Sequence, residues 1–209
     1  MEKPKVELTF TEEMKGFLTL GALDFESGFK QGKEANRFFM FHSDITIEDV
    51  FVFDKTPSLA SPMKGWIESE LFGGKIPFEK AFFNLYVDTD NPKHKFMKYR
   101  IFFKNKTNNE DLTLFGFKDI KDDPLFDIWE DTTTLFTRIY KGITEREDDV
   151  DVIAKGIVKI YMLDFLKQLT TFRVKGADKT TNLEAFVDFN KMFLGTLYDV
   201  YAPKLIITD

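Results

Sequence analysis

The sequence predicts a mainly β protein, an antiparallel lipocalin-like barrel with one C-terminal helix. Three observations carry that reading. Apolar and polar residues alternate with period two through most of the chain, the signal of half-buried strands. The alternating runs are separated by short Gly-, Asp-, Asn- and Pro-rich breaks, which suits antiparallel neighbours. Aromatics fall on both parities of the central runs, so both sheet faces have apolar neighbours. A β-sandwich is the alternative architecture. No repeat, low-complexity tract or linker interrupts the chain, so residues 1–209 read as a single domain.

Val6 to Gly21 reads as an opening strand or strand pair, broken by the polar Glu12-Glu13. Gly21 to Ala35 reads as a loop punctuated by Gly21, Gly28 and Gly32, whose spacing matches no phosphate-binding motif. From Arg37 to Ile47, Phe39, Phe41, Ser43, Ile45 and Ile47 alternate with Phe38, Met40, His42, Asp44 and Thr46 as a strand. Thr46 or Glu48 opens a helical turn over Ile47–Asp54, ended by Pro57.

Met63 to Phe72 alternates again, and Gly73-Gly74 suits a type I′ hairpin turn because both positions tolerate positive φ. Lys75 to Val87 is the returning strand, with Pro77 at an edge or bulge since it lacks an N–H. Turn residues Asp88 to Pro92 lead to a strand over Phe96–Lys104, then a polar loop and a strand over Leu112–Lys118.

Asp122-Asp-Pro124 begins a helical turn through Trp129. Thr132–Lys141 and Asp151–Met162 are strands flanking the acidic loop Thr144–Asp149. Residues 164–174 read either as a short turn and a last strand or as an amphipathic helix over Asp164–Thr171. Thr181-Asn-Leu-Glu184 fits a capping box. Leu183, Phe186, Val187, Asn190, Leu194, Leu197 and Tyr201 then recur at helical spacing, predicting a helix over Asn182–Tyr201.

Composition excludes several chemistries. Without cysteine there is no thiol catalysis and no Cys-based zinc or iron–sulfur site. The two histidines, His42 and His94, lack metal-ligand spacing, so no metal centre is expected. A formal net charge of −6 argues against nucleic acid and against simple electrostatic docking on anionic lipid. No run of 18 apolar residues exists to span a bilayer. The start of the chain lacks the apolar core of a secretory signal, which makes cytoplasm the default compartment; signal-independent export leaves no trace in a sequence. Phenylalanine is abundant, 25 against 6 Tyr and 2 Trp, as a core or as the lining of an apolar ligand cavity.

Ionisable groups inside a barrel would be the functional residues. Arg100, Arg138 and Arg173 sit in apolar runs; pointing inward, each needs a carboxylate such as Glu68, Glu79 or Asp131, or an anionic ligand head group. Trp66, Glu68, Phe83, Tyr99, Arg100 and Arg138 form the candidate ligand-binding set. His42 and Asp44 share a strand face and are within reach of each other, but no nucleophile elbow accompanies them. His94 reads as a solvated loop residue, and Asn105-Lys-Thr107 matches a glycosylation acceptor. No catalytic residue and no cofactor are assigned.

Several segments taken in order resemble one family. They include Phe10-Thr-Glu-Glu-Met-Lys-Gly16, Gly65-Trp-Ile67, Leu71-Phe-Gly-Gly74, Phe83-Asn-Leu-Tyr-Val-Asp88 and Tyr99-Arg-Ile-Phe-Phe103. The series continues with Leu112 to Lys118, Asp131 to Arg138, Asp164 to Arg173 and Leu197 to Ala202. Together these are similar to a module of long bacterial oxidoreductases of the glucose–methanol–choline (GMC) type, cholesterol-oxidase-like flavoproteins that also carry an α/β-hydrolase part. Neither the dinucleotide fingerprint nor the hydrolase elbow of those proteins occurs here. The resemblance therefore implies a non-flavin, non-hydrolase accessory module, standing alone, in a context of sterol or other apolar substrates.

The leading expectation is thus a non-catalytic barrel that binds an apolar lipid or sterol-like ligand. The alternative is a protein-interaction or effector module without a small-molecule ligand. A third reading is a lipid-modifying enzyme using Glu68, Arg100 or His42.

Overall fold

The computed structural model describes residues 4–121, 128–176 and 178–205. In chain order the elements are β1 (Glu7–Leu20), α1 (Phe25–Glu34), β2 (Phe38–Ile47), α2 (Val50–Phe53), β3 (Ser61–Ser69), β4 (Gly74–Asp88), β5 (His94–Lys104) and β6 (Asp111–Lys121). There follow α3 (Ile128–Thr133), β7 (Thr134–Lys141), β8 (Val152–Lys159), α4 (Met162–Leu169), β9 (Arg173–Lys175) and α5 (Lys179–Leu205). Each strand from β2 to β8 pairs antiparallel with the next, and β1 pairs with both β2 and β8. The result is a closed barrel of eight strands, β1 to β8, with β9 added beside the start of β1.

An eight-stranded barrel is just wide enough for its own side chains to fill it. Here Phe41, Phe83 and Tyr99 meet near the axis, with ring centroids 6.0 Å apart for Phe41–Tyr99 and 4.9 Å for Phe83–Tyr99. Met14, Leu18, Ile67, Ile101, Leu114 and Ile139 are buried around them. The interior is a packed core of Phe and aliphatic residues, so the two-sided aromatics have a different cause from a cavity lining. The second parity packs outside the barrel, where α1 lies on β1 and β8.

The strand pattern holds closely along the meander, and its departures have local causes. The inward parity of β4 changes between Phe78 and Ala81, where the register against β3 shifts between Met63 and Gly65. That bulge explains why Ile76 and Phe78 point inward and then Ala81, Phe83 and Leu85 do. Pro77 lies before the first β4–β5 pair, Lys80–Phe102, so no ladder bond towards β5 is lost at its missing N–H.

Four expectations are corrected. The Glu12-Glu13 break does not exist: β1 is one strand of 14 residues, because Glu12 sits on the inward parity and finds partners there. The segment expected as a glycine-punctuated loop is the helix α1, capped by Asp24, whose side chain accepts from Ser27 N–H at 2.7 Å. Gly28 and Gly32 are four apart on its buried face. A Cβ at Gly28 would collide with the Lys155 carbonyl and one at Gly32 would sit 2.7 Å from the Leu18 carbonyl, so their smallness lets the helix rest on strand backbone. Gly73-Gly74 does not form a two-residue hairpin turn: a single 3₁₀ turn over Glu70–Phe72 precedes it, and the two glycines, at φ 93° and 83°, carry the chain into β4.

The last correction concerns α5. It begins at Lys179, three residues before the predicted start at Asn182, because Asp178 accepts from Thr180 N–H and Thr181 N–H at 2.9 and 3.0 Å, and it continues to Leu205 through Pro203. Among its described side chains Ala185 and Phe189 are buried, with Phe189 against Phe53 of α2. Of the 164–174 alternatives, the structure has both a helix and a last short strand. The predicted turn opening at Asp122-Asp-Pro124 falls on 122–127, outside the described residues. So do the side chains of Leu194, Leu197 and Tyr201.

Candidate functional site at a helix-closed gap in the wall

The route of β1 leaves a gap. Leu8 to Phe17 pair with β2 along one side, but on the other side β8 covers Lys15–Leu20 and β9 covers only Glu7–Thr9. Between those stretches α4 takes the place of a strand. Thr171 Oγ1 accepts from Thr11 N–H at 2.9 Å, supplying the bond that a ladder partner would have made.

What α4 turns towards the barrel is polar. Asp164 receives a bond from Lys15 Nζ at 2.7 Å, and Lys167 Nζ lies 3.2 Å from Glu13 Oε1. Gln168 reaches through the gap and donates to Glu12 Oε2 at 3.3 Å. Phe165 packs partly against the core. Facing outward are Met162, Leu163, Leu166 and Leu169, and Leu163 is 80% exposed. A surface helix ordinarily turns its apolar stripe inward; α4 does the opposite.

Behind Gln168 lies a charged cluster inside the barrel. Glu12 and Lys118 are 3.5 Å apart with side chains only 4% and 2% exposed. Tyr99 donates its hydroxyl to Glu12 Oε1 at 2.9 Å, and the Lys118 ammonium lies 5.2 Å from the Tyr99 ring centre. Burial lowers the Lys118 pKa from its ordinary value, against the pull of Glu12. Burial also raises that of Tyr99 well above the usual phenol, and Glu12 adds to the rise. Ser43 pairs opposite Glu12 in the β1–β2 ladder, and its fully buried Oγ has no hydrogen-bond partner.

On the outside of the same strand, burial would raise the Glu13 carboxyl, but hydrogen bonds from His42, Lys167 and Lys15 hold it at about 2. His42 Nδ1 lies 3.0 Å from Glu13 Oε1 and its ring stacks on Trp66 at 5.4 Å. Its expected partner Asp44 is 3.9 Å away.

The six residues expected to share a ligand site lie in three places. Phe83 and Tyr99 are together in the core. Trp66 faces outward between His42 and Lys75, whose ammonium lies 3.7 Å from the ring centre, and Glu68 is exposed nearby. Arg100 and Arg138 do not enter the barrel. They lie on its outer wall and pair with Glu145, Glu147 and Asp149 instead of Glu68, Glu79 or Asp131. Odd-numbered β5 positions point inward, and Arg100 is even.

His94 is also corrected: it belongs to β5, with Nε2 2.6 Å from Asp119 Oδ1. The Asn105 side chain is engaged by its own loop, accepting from Thr107 N–H at 2.9 Å. The buried pair that sequence reasoning missed, Glu12 and Lys118, does carry a signal: each is the charged member of an otherwise apolar parity, Leu8–Phe10–Glu12–Met14 and Leu112–Leu114–Gly116–Lys118–Ile120.

Among the described residues no group of acidic and histidine side chains has the arrangement of a metal site, and no helix is long and apolar enough to cross a membrane. Comparison with protein-family models, curated proteins and solved structures finds no match.

Proposed function

We propose that this protein is an accessory barrel that docks on a lipid surface through the outward apolar side of α4. The observation that supports the reading most is the inverted amphipathicity of that helix. A convex ridge of Met162, Leu163, Leu166 and Leu169 suits a deformable apolar medium better than a rigid partner, which would need a matching groove. Leu183, 64% exposed, with Phe186 and Val187 extends the apolar surface onto α5. Phe172 links the two helices, stacked on Phe10 and edge-on to Phe186.

The surrounding charge does not select the sign of the lipid. Lys167, Arg173, Lys175 and Lys179 are exposed on or beside these elements. Asp164, Asp178, Glu184 and Asp188 stand on or beside the same elements, so this side is close to neutral although the chain as a whole is acidic, and local charge governs docking within a Debye length of the surface. Immersing four half-exposed aliphatic side chains contributes about 1 kcal/mol each. That is enough for reversible association and far short of permanent insertion.

Co-sedimentation with phosphatidylcholine vesicles, with and without phosphatidylglycerol, tests the proposal. Binding should occur with either vesicle, change little with salt, and vanish in Leu163→Glu/Leu166→Glu while the melting temperature stays within a few degrees. Failure to bind either vesicle would refute it. Self-association abolished by the same pair would instead make a second copy the occupant.

A second reading, binding of a free apolar or sterol-like ligand, has one observation in its favour. A cavity of about 360 Å³ opens to solvent beside α2, lined by Ile47, Val52, Phe53, Leu59 and Pro62 with Lys5 at its edge. That volume is at the lower end of ligand pockets. The resemblance to a GMC-type accessory module supports the ligand class. Native mass spectrometry for co-purified lipid, with thermal shift across a sterol and fatty-acid panel, separates this reading from surface docking.

A further inference from the structure

The outer wall formed by β5, β6, β7 and β8 carries a second feature, separate from α4. Its floor is aromatic: Phe117 lies 5.6 Å from Phe96, 5.4 Å from Phe136 and 5.8 Å from Phe25 of α1. Set into that floor are Lys98, Arg100, Arg138 and Lys155. The Arg100 guanidinium lies 5.3 Å from the Phe115 ring centre, and that of Arg138 lies 4.9 Å from the Phe25 ring centre.

The loop between β7 and β8 lies along this row. Glu145 accepts from Arg100 at 2.7 Å, Glu147 from Lys98 at 2.7 Å, and Asp149 from Arg138 at 2.9 Å and from Lys155 at 3.0 Å. The three carboxylates are spaced two residues apart, so an extended segment turns all of them to one side. Main-chain oxygens join in: Arg100 also donates to Glu145 O at 3.1 Å, and Tyr140 Oη donates to Asp148 O at 2.6 Å. The asymmetry of exposure is informative. The cations are 10–24% exposed, held by the wall, whereas Glu145, Glu147 and Asp149 are 42–73% exposed on the solvent side. Arg100 Nε is buried with no partner, so the loop does not use every donor.

We propose that this wall is a binding surface for an extended acidic segment of another protein, with carboxylates at every second residue, and that the β7–β8 loop occupies it as an internal competitor. The rigid half of the pairing is the cation row; the replaceable half is the exposed loop. Exposed pairs of this kind contribute little individually and are screened by salt. Exchange for a segment of the same pattern therefore needs only a modest advantage in charge or concentration.

The test uses a fluorescein-labelled peptide corresponding to residues 143–151, the full-length protein and a Glu145→Gln/Glu147→Gln/Asp149→Asn variant. Anisotropy should show binding to the variant on the order of tenfold tighter than to the wild type. Binding should be lost at about 0.5 M salt, where screening is nearly complete. It should also be lost when Arg100→Gln/Arg138→Gln is added to the variant. Equal affinity with and without the arginines would overturn the proposal, as would no binding to the variant.

Hydrogen exchange on the wild type gives a second measurement that does not depend on the loop variant folding. Saturating peptide should speed exchange at 143–151, and unchanged protection there would refute displacement. Tighter binding of an oligo-dT probe than of the peptide would reassign the wall to nucleic acid. Peptide-independent dimerisation of the loop variant would make the occupant a second copy's loop. Either outcome overturns the proposal as stated.

Discussion

At the residue scale, Glu12 and Lys118 show how a barrel tolerates charge. Two ions withdrawn from water cost several kcal/mol each, and their attraction offsets this only when the remaining lone pairs and protons are also engaged. Tyr99 and Gln168 supply such engagement for Glu12. Lys118→Met leaves an unpaired carboxylate in the core and should cost about 3–5 kcal/mol in urea unfolding. Glu12→Leu/Lys118→Met should recover most of that loss, since it leaves neither charge. If the double variant is as unstable as the single one, the pair is not what holds this part of the core.

Glu13 gives a pH signature of opposite origin, because its pair is partly solvated. Its folded pKa, about 2, lies below the ordinary glutamate value of 4.5. A depressed carboxyl pKa contributes stability that is fully present above the unfolded value and is lost as pH falls through the folded one. Wild type should therefore exceed Glu13→Gln by about 1–2 kcal/mol near neutrality, after allowance for solvent screening. The gap should close between about pH 5 and pH 2, measured by urea midpoints across that range.

At the element scale, the two helices against the barrel illustrate two kinds of attachment. α1 rests on backbone through Gly28 and Gly32, so Gly28→Ala should destabilise by about 1–3 kcal/mol despite its better helix propensity. A gain in melting temperature would show that the helix can lift away freely. α4 has no buried residue and is held largely by polar bonds. Its amides should exchange faster than those of β5 and β6, because few apolar contacts oppose local opening. Protection equal to that of the central strands would refute this.

These elements also show what could be read in advance. Period two located β2, β5 and β7 because each has one face on the core throughout. It misread β1 at Glu12, where a charge on the apolar parity was taken as a break; the partner that stabilises it lies over a hundred residues away and no local pattern encodes the pairing. It missed α1 because two glycines that weaken a helix in isolation are what allow this one to dock. The candidate site was legible only in part: Tyr99 and the arginines stood out, but which side of the wall they face depends on parity set by closure. The outward apolar side of α4 was invisible, since amphipathicity alone does not say which side is in.

At the scale of the whole molecule, closure dominates. The barrel is sealed by pairing its first strand with its eighth, from Lys15–Lys159 to Leu20–Ala154. Such non-local pairing predicts slow folding, on the order of milliseconds to seconds. Stopped-flow refolding monitored by tryptophan fluorescence should fall in that range, and completion in microseconds would contradict it. Mutations at the β1–β8 seam should mainly speed unfolding if the seam forms after the transition state.

The shared position of β1 has a further consequence for biosynthesis. Once synthesised, β1 can join β2 soon afterwards, but its other hydrogen-bonding edge must wait until residue 159 has emerged. Over that interval the nascent chain presents an open, apolar strand edge, the kind of surface that recruits unwanted neighbours. A permuted chain in which β8 precedes β1, with α4, β9 and α5 between them, would close that edge as soon as β1 emerges and would move the open edge to the β7–β8 seam.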